Sequence, residues 1–377
     1  MVTSMKYFLK KKLKKIFKWG LDMNKKDVYI YYSAATDITG KKLQAALGIQ
    51  GGNKKPEGKK LVIGWGAKTK DVTKFPKSVK VINHPNAIMT NRDKFEAMGV
   101  MATALNVEGS THIPKYVTTD KVKQEIFDGN ISLPLIGRKK FHQGGKGFWS
   151  CPTMAQLEDA ITAGAHHFIH MLPIKEEYRL HVFDGVVIHA VKKVKRSDKE
   201  FEKAFIDDEL ARQKILVEKN NDQFDEATAM LMLNRQAKNA TEGGANMLLR
   251  SNRLGWKFAI VKKYPKGLAD VAIKAVKALG LDFGAVDCCL DNINVPYIFE
   301  VNSGPGLEAT SFDKYVEAFK LAIDNKKTST TVTASFSEKN TMKKQLAELQ
   351  EMVDKSEDSD ELAKVREIGA KLIFGGQ

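Results

Sequence analysis

Two neighbouring apolar runs in the second half of the chain contain acidic and amide side chains at strand spacing. The first run holds Asp287, and the second holds Glu300 and Asn302 after a polar turn at residues 292–294. Alternate residues of a strand share a face, so Glu300 and Asn302 point the same way and a short hairpin places Asp287 beside them. Two carboxylates and an amide form a hard oxygen set that suits Mg²⁺ better than Zn²⁺. The alternative is an ordinary hairpin with charged residues near its solvated ends.

A glycine-rich segment follows an apolar run that ends in Arg138. Gly144, Gly145 and Gly147 allow the backbone to approach a ligand closely and to point N–H groups at phosphates. The segment matches neither the Walker A loop nor the dinucleotide fingerprint. By itself, the glycine spacing favours an ordinary hairpin turn. Arg138 adds a cation on the adjoining strand, and a buried strand that ends in Arg beside such a loop favours contact with phosphates.

A third candidate is the connection between two predicted strands at residues 167–171 and 178–183. Such a connection is a natural position for a nucleotide base. We expect the backbone groups of Met171 and Leu172 to bind an adenine edge and Glu177 to bind the ribose hydroxyls. The alternative for the acidic and basic residues at 176–179 is a surface ion-pair cluster.

Lys192, Lys193 and Lys195 end the next strand, either as a solvated edge or as cations for a transferring phosphoryl group. The eight histidines lack zinc-type spacing, and neither a Gly-x-Ser-x-Gly elbow nor a Cys/His nucleophile pair is present in the sequence. The three cysteines are too few for a disulfide framework, which indicates a reducing cytoplasm.

The pattern of predicted strands and helices that carry these residues indicates several domains. Strands alternating with helices between Val28 and Asn83 predict a small parallel α/β domain. Asp184-Gly185 marks a hairpin, and Ala269–Leu279 and Asp313–Ile323 are predicted helices. The predicted boundaries are 1–26 (basic arm), 27–112 (α/β domain), 113–171 (small subdomain with the glycine-rich loop), 172–325 (large subdomain with the oxygen cluster) and 326–377 (linker and helical pair).

Charge is concentrated at one end of the chain. The 377 residues carry a formal charge of +16, and residues 1–26 contribute nine Lys and one Asp, a net +8. Residues 5–19 have the spacing of a basic amphipathic helix, which indicates docking to an anionic membrane or nucleic acid; a solvated extension is the alternative. The sequence contains no apolar run of membrane-spanning length. The C-terminal helical pair is expected to pack on the body or on a second copy in a homo-oligomer.

Taken in order, these segments resemble the ATP-grasp superfamily, most of all glutathione synthetase and the ligase that adds glutamates to a ribosomal protein. The resemblance covers roughly residues 28–324. It rests on Asn83–Lys94, Pro134–Gly147, Glu177–Ala190, Arg250–Trp256 and, most specifically, Phe299–Gly306. Arg138 stands where most members have Lys, and residues 196–245 offer no substrate-binding signature.

The resemblance implies an α/β (α+β) ATP-grasp fold, with an N-terminal pre-ATP-grasp domain, two subdomains that clamp ATP, and appended C-terminal helices. It implies an ATP- and Mg²⁺-dependent ligase in the cytoplasm of a bacterium or phage-infected host, with Mn²⁺ as a substitute ion. A substrate carboxylate, activated as an acyl phosphate, would be joined to an amine or thiol, with an amino acid or peptide as acceptor. The alternatives are a kinase or macromolecule-modifying enzyme, and a non-catalytic structural or interaction protein that keeps the fold.

The resemblance also assigns roles to residues. The catalytic set is Arg138, Arg179, Lys192 and Lys193. The nucleotide-binding set is Lys94, Arg138, Gln143, Gly144, Gly145, Gly147, His170, Met171, Leu172 and Glu177. The metal ligands are Asp287, Glu300 and Asn302, and the substrate-facing residues are Asn252, Ser303, Gly304, Pro305 and Gly306.

Overall fold

Short runs of β-branched and aromatic residues near the N-terminus form a four-stranded parallel sheet, hereafter the parallel sheet. Its strands are β1 (Val28–Tyr32), β2 (Gln50–Gly52), β3 (Leu61–Trp65) and β4 (Lys80–Ile82), in the order β2-β1-β3-β4. Helix α1 (Ile38–Leu47) connects β1 to β2. The Asp37 carboxylate accepts a hydrogen bond from Gly40 N (2.8 Å) and so caps the helix. The predicted parallel α/β arrangement is confirmed.

The structure is a computed structural model. All of the described residues belong to one unit, Met1–Ser329. They are residues 24–67, 75–107, 110–140, 147–220, 225, 229–230, 232–234, 236–238, 250 and 254–324. The predicted arm at 5–19 and the predicted helical pair in 326–377 lie outside the described residues. Within the described part of the chain, no helix combines the length and apolar character needed to cross a membrane.

Two helices, α2 (Pro85–Arg92) and α3 (Lys94–Leu105), follow the parallel sheet. The sequence predicts one helix from about Asn91 with Asp93 inside it, and this prediction is wrong. The Asp93 carboxylate accepts hydrogen bonds from Phe95 N and Glu96 N, each at 3.2 Å, so it caps α3 and separates the two helices.

A second, antiparallel sheet, the small sheet, has the order β5-β8-β6-β7. Its strands and helices are β5 (Tyr116–Thr118), α4 (Val122–Phe127), β6 (Leu135–Arg138), β7 (Phe148–Cys151), α5 (Met154–Thr162) and β8 (His167–His170). Leu135, Cys151, Leu157 and Phe168 form its core and are fully buried. Arg138 pairs with Phe148 across β6 and β7, so the glycine-rich segment connects these two strand ends.

A third, five-stranded antiparallel sheet, the large sheet, has the order β11-β10-β9-β12-β13. Its strands and flanking helices are β9 (Ile174–Phe183), β10 (Val186–Lys195), α6 (Asp198–Asn220), β11 (Trp256–Ile260), α7 (Lys266–Ala278), β12 (Phe283–Asp291), β13 (Pro296–Asn302) and α8 (Ala309–Ile323). Asp184 and Gly185 both have positive φ (48° and 73°), as the predicted tight hairpin requires.

One buried asparagine ties the parallel sheet to the large sheet. Asn83, which has a φ of 53°, accepts hydrogen bonds through Oδ1 from Asp282 N (2.7 Å) and Phe283 N (3.0 Å). Its Nδ2 donates to Phe283 O (2.8 Å). Asn tolerates the left-handed region better than most residues, so it supplies both the turn and the three hydrogen bonds. Strand β12 therefore starts at a fixed position relative to β4.

Candidate active site

Six polar side chains lie on one face of the large sheet, hereafter the polar face: Glu177, Arg179, Lys193, Asp287, Glu300 and Asn302. Strand register brings them together, because Asp287 pairs with Arg179 on one side and with Glu300 on the other. Alternate residues of a strand share a face, and the opposite face carries Tyr178, Leu180 and Val286, which pack in the core with α7. The predicted proximity of Asp287 and Glu300 is confirmed by this register.

Arg179 and Asp287 form the centre of the polar face. Arg179 Nε donates to Asp287 Oδ1 (2.6 Å), and a terminal guanidinium nitrogen donates to Oδ2 (2.8 Å). The side chains are 23% and 11% exposed, so this bidentate pair is shielded from water. Burial lowers the pKa of Arg179, but Asp287 more than offsets this effect and the pKa is raised. The guanidinium therefore stays charged.

Glu300 is held by one amide and several cations. Asn302 Nδ2 donates to Glu300 Oε1 (3.0 Å), and Lys94 Nζ lies 3.5 Å from Oε2. Burial raises the pKa of Glu300, but Lys94, the Asn302 hydrogen bond, Arg138 and Arg179 outweigh it and lower the pKa to about 2. Glu300 is therefore ionised at neutral pH.

Arg138 joins this region from the small sheet. Burial lowers its pKa, and Glu300 acts in the opposite direction, which places the Arg138 guanidinium within electrostatic range of Glu300. It also lies over the Phe148 ring at 5.6 Å from the centroid. The two antiparallel sheets thus direct charged groups of opposite sign at the same region.

Glu177 is the most buried carboxylate of the polar face, with its side chain 8% exposed. Lys193 Nζ donates to its Oε1, and Arg250 Nε lies 4.0 Å from its Oε2. Burial raises the pKa of Glu177, and the ion pair with Lys193 acts in the opposite direction. Arg250 also donates to Ile174 O (3.0 Å), at the start of β9. Glu177 is thereby fixed next to the connection between the small and large sheets.

The sequence leaves Lys192, Lys193 and Lys195 equivalent, and the structure separates Lys192 from Lys193. Lys193 lies on the polar face, whereas Lys192 lies on the opposite face and donates to Glu176 Oε1 (2.5 Å). Tyr178 also donates to Glu176, through its hydroxyl (2.5 Å). The structure therefore brings Lys193, and not Lys192, to the other candidate residues.

Residues 171–173 connect β8 to β9, where the adenine-binding groups are predicted. Met171 N donates to Pro134 O (3.0 Å), so this N–H is already used. Among the described residues, the backbone hydrogen bonds outside helices and strands include none to Met171 O and none from Leu172 N. His170 donates through Nδ1 to Ser132 O (3.1 Å), which fixes its ring at the C-terminal end of β8.

The predicted substrate-facing segment, Ser303–Gly306, leaves β13 and contacts the end of β3. Gly66 N donates to Ser303 O (3.1 Å). A Cβ on Gly304 would lie 2.9 Å from Gly66 Cα and 3.3 Å from the Trp65 carbonyl carbon, so only glycine fits there. The parallel sheet therefore contributes a wall next to Asn302.

Several predicted residues lie outside the described residues: Gln143, Gly144 and Gly145 of the glycine-rich loop, and Asn252. Gly147 is described and has a φ of 67°. Gly147 O accepts a hydrogen bond from Lys139 N (3.2 Å), which closes the base of the loop.

Sequence reasoning missed Phe258, and it included Arg250 and Trp256 in the segment Arg250–Trp256 without assigning either of them to the polar face. Arg179 lies over the Phe258 ring at 4.8 Å, and Arg250 lies over the Trp256 ring at the same distance. The Trp-x-Phe spacing of β11 was the only available signal, and it is also the ordinary pattern of a strand.

The donor chemistry of the polar face fits Mg²⁺. Asp287, Glu300 and Asn302 offer only oxygen ligands once Asn302 Nδ2 is directed at Glu300, and the low pKa of Glu300 keeps it in the ionised form that a ligand needs. Among the described residues, the polar face included, no group of three or more His, Cys, Asp or Glu side chains is placed to hold a metal ion, so the proposed set has two carboxylates and one amide. The metal assignment remains a prediction that the donor set supports.

Comparison with solved structures identifies the fold. No family model and no curated protein matches the chain. Among solved structures, N5-carboxyaminoimidazole synthetase from Staphylococcus aureus, complexed with ADP, is 11% identical with a TM-score of 0.53 over 82% of this chain and 81% of that one.

Two further similarities have TM-scores of 0.48. One is to the ATP-grasp ligase PsnB complexed with minimal precursor, Mg and ADP (11% identity, 80% of this chain and 98% of that one). The other is to D-alanine–D-alanine ligase from Bacillus anthracis complexed with ATP (13% identity, 79% and 95%). With its mixed α/β architecture of one parallel and two antiparallel sheets, the chain has the ATP-grasp fold.

Proposed function

We propose that this protein is an ATP- and Mg²⁺-dependent ligase that joins a carboxylate to an amine or thiol. The observation that carries the proposal is the polar face, where Asp287, Glu300 and Asn302 lie beside Arg179 and Lys193. Oxygen ligands next to fixed cations suit a nucleotide triphosphate, because its charge must be neutralised while a phosphoryl group is transferred. The S. aureus synthetase of this fold is complexed with ADP, which supports an adenine nucleotide as the ligand.

In this proposal each residue has a defined task. Met171 O and Leu172 N bind the adenine edge, and Glu177 binds the ribose hydroxyls. Arg138 and the glycine-rich loop surround the phosphates, together with Lys193. Asp287, Glu300 and Asn302 hold Mg²⁺, which neutralises phosphate charge when bound.

The proposed reaction has two steps. An oxygen of the substrate carboxylate attacks the γ-phosphorus and ADP leaves, which gives an acyl phosphate. An amine or thiol then attacks the acyl carbon and phosphate leaves. No protein nucleophile is assigned, since burial raises the pKa of all three cysteine thiols and keeps them protonated. Ser303–Gly306 and the end of β3 line the proposed acceptor side, and an amino acid or peptide is the proposed acceptor.

The test is release of ADP and phosphate with Mg²⁺ across a panel of amino acids, peptides and carboxylates. A ligase shows release of both products only when one acid and one amine or thiol are present. Release of ADP without free phosphate would instead favour a kinase. Absence of ATP binding would contradict both the ligase and the kinase hypotheses.

Two further parts of the proposal concern the terminal segments. We propose that residues 5–19 dock to an anionic surface and that the helices predicted in 326–377 mediate self-association. Deletion of residues 1–22 should weaken binding to anionic liposomes or to DNA; unchanged binding to both would contradict the docking role.

A further inference from the structure

Two aromatic residues of edge strand β11, Trp256 and Phe258, form what we call the aromatic strip. They are two residues apart and share a face of the strand. Phe258 pairs with Lys193 and Trp256 with Lys195 in the register of β10 and β11, so the aromatic strip lies on the polar face of the large sheet. Trp256 is 7% exposed.

Three cations lie over the aromatic strip. The Phe258 ring lies under two of them, with its centroid 4.8 Å from Arg179 Cζ and 5.8 Å from Lys193 Nζ. Arg250 Cζ lies 4.8 Å from the Trp256 ring centroid. These distances fall within the range of cation–π attraction, in which the negative face of the ring attracts the charge.

The contact with the Phe258 ring is a second restraint on the Arg179 guanidinium, besides its ion pair with Asp287. Asp287 binds one edge of the guanidinium through two hydrogen bonds, at 2.6 and 2.8 Å. Arg179 Cζ also lies over the Phe258 ring, 4.8 Å from its centroid. The ring contact therefore restrains the guanidinium in addition to the two hydrogen bonds.

An aromatic ring holds a cation without consuming its N–H donors. A carboxylate in the same place would neutralise the cation and compete with an anionic ligand for the same protons. The ring leaves the donors of Arg179 and Lys193 that are not bound to Asp287 and Glu177 for a ligand. Cations that are already ordered before a polyanion binds stabilise its charge without having to reorganise.

We propose that the aromatic strip is a positioning layer, in which Phe258 orients Arg179 and Lys193, and Trp256 orients Arg250, to receive the phosphoryl group. This inference rests on the proposed function. Phe258 touches neither nucleotide nor substrate in this role; it acts through the two cations. The opposing interpretation is that the strip is apolar packing, for which any side chain of similar size would serve.

The test compares Phe258→Leu, which keeps apolar bulk but removes the ring, with Phe258→Tyr, which keeps the ring. Ile260→Leu on the exposed end of the same strand is the matched control. We expect Phe258→Leu to lower kcat for Mg²⁺-dependent ADP release by about tenfold, the combined scale of two cation–π contacts, with a smaller change in KM for ATP. Phe258→Tyr and Ile260→Leu should stay close to wild type. A kcat for Phe258→Leu equal to that of Phe258→Tyr would overturn the proposal.

A second measurement does not depend on turnover. With arginine-selective ¹⁵N labelling, the Nε–H signal of Arg179, assigned through Arg179→Lys, should exchange slowly in wild type and in Phe258→Tyr. It should exchange faster in Phe258→Leu, and equal exchange in all three proteins would overturn the positioning role. If the wild type releases no ADP with any substrate, the ligase proposal fails, while this signal still decides whether Phe258 orients Arg179.

Discussion

Glu300 is the single residue on which the proposed metal site depends most. Its carboxylate faces Lys94 at 3.5 Å and accepts a hydrogen bond from Asn302. Glu300→Gln keeps the shape but removes the charge, so we expect ATP turnover to fall by at least about 100-fold, the scale of losing one electrostatic stabiliser. Glu317→Gln, an exposed carboxylate on α8, is the control. Steady-state ADP release measures both, and a Glu300→Gln enzyme with undiminished turnover would remove the metal assignment.

The two lysines at the end of β10 provide a second prediction. Lys193 pairs with Glu177 on the polar face, whereas Lys192 pairs with Glu176 on the other. We expect Lys193→Met to lower kcat/KM for ATP by about tenfold or more, because it removes a cation and leaves the buried Glu177 with only the more distant Arg250 as an ion-pair partner. Lys192→Met should lower kcat/KM for ATP by a smaller factor. Equal losses in the two variants would contradict this assignment.

Residue types and spacing predicted the oxygen cluster, because Glu300 and Asn302 are two apart and Asp287 precedes one short turn. They did not predict the partner of Asp287. Arg179 is 108 positions away in sequence, and only the register of β9 with β12 joins the two. The sequence also did not predict which of Lys192 and Lys193 lies on the polar face, since a one-residue shift in register exchanges the faces of a strand.

At the scale of elements, the contact between the segment after β13 and the end of β3 fixes the position of the segment that we propose to face the acceptor. Gly304→Ala would place a Cβ 2.9 Å from Gly66 Cα. Because backbone atoms must then move apart, we expect a loss of about 1–3 kcal/mol in unfolding free energy and a higher KM for the acceptor.

Gly306→Ala is the matched control for this prediction, because a Cβ on Gly306 has no heavy atom of the described residues within 4 Å. Urea denaturation and acceptor titration measure the two effects. If Gly304→Ala and Gly306→Ala lower the unfolding free energy equally, the contact with β3 does not position the segment.

Most element types were predictable, since the hairpins and helices follow clear patterns of apolar spacing and turn residues. The break between the two helices at Asp93 was not predictable. The Asp93 carboxylate can either cap a new helix by accepting hydrogen bonds from Phe95 N and Glu96 N or lie within one continuous helix, and apolar spacing does not distinguish these two arrangements. The resemblance assigns Lys94 to the nucleotide-binding set, but its hydrogen bond to Val301 O on β13 depends on the packing of α3 and was not predicted.

On the scale of the whole molecule, a buried histidine makes stability depend on pH. His181 is 3% exposed and lies beside Arg179, His189 and Tyr315. Burial, His189 and Arg179 lower its pKa to about 3, against 6.5 in the unfolded chain. Below pH 6.5 the unfolded state therefore binds the extra proton, and stability falls as the pH drops towards 3.

We expect His181→Phe to reduce this dependence. Between pH 6.5 and pH 5 the wild type should lose up to roughly 1.4 kcal/mol per pH unit through His181, and the variant should lose less. Glu300 contributes outside this interval, because its stabilising effect is lost only as the pH falls through about 4.5 towards 2. Denaturant unfolding at both pH values measures the slope, and parallel slopes would contradict the assignment to His181.

The central claim is that the polar face binds the nucleotide phosphates and the divalent ion. A crystal structure with a non-hydrolysable ATP analogue and Mn²⁺, located by its anomalous scattering, tests it most directly. We predict a Mn²⁺ peak at coordination distance from the oxygens of Asp287, Glu300 and Asn302, with the phosphates beside Arg138 and Lys193. An analogue bound elsewhere, or a Mn²⁺ peak away from these three residues, would contradict the claim.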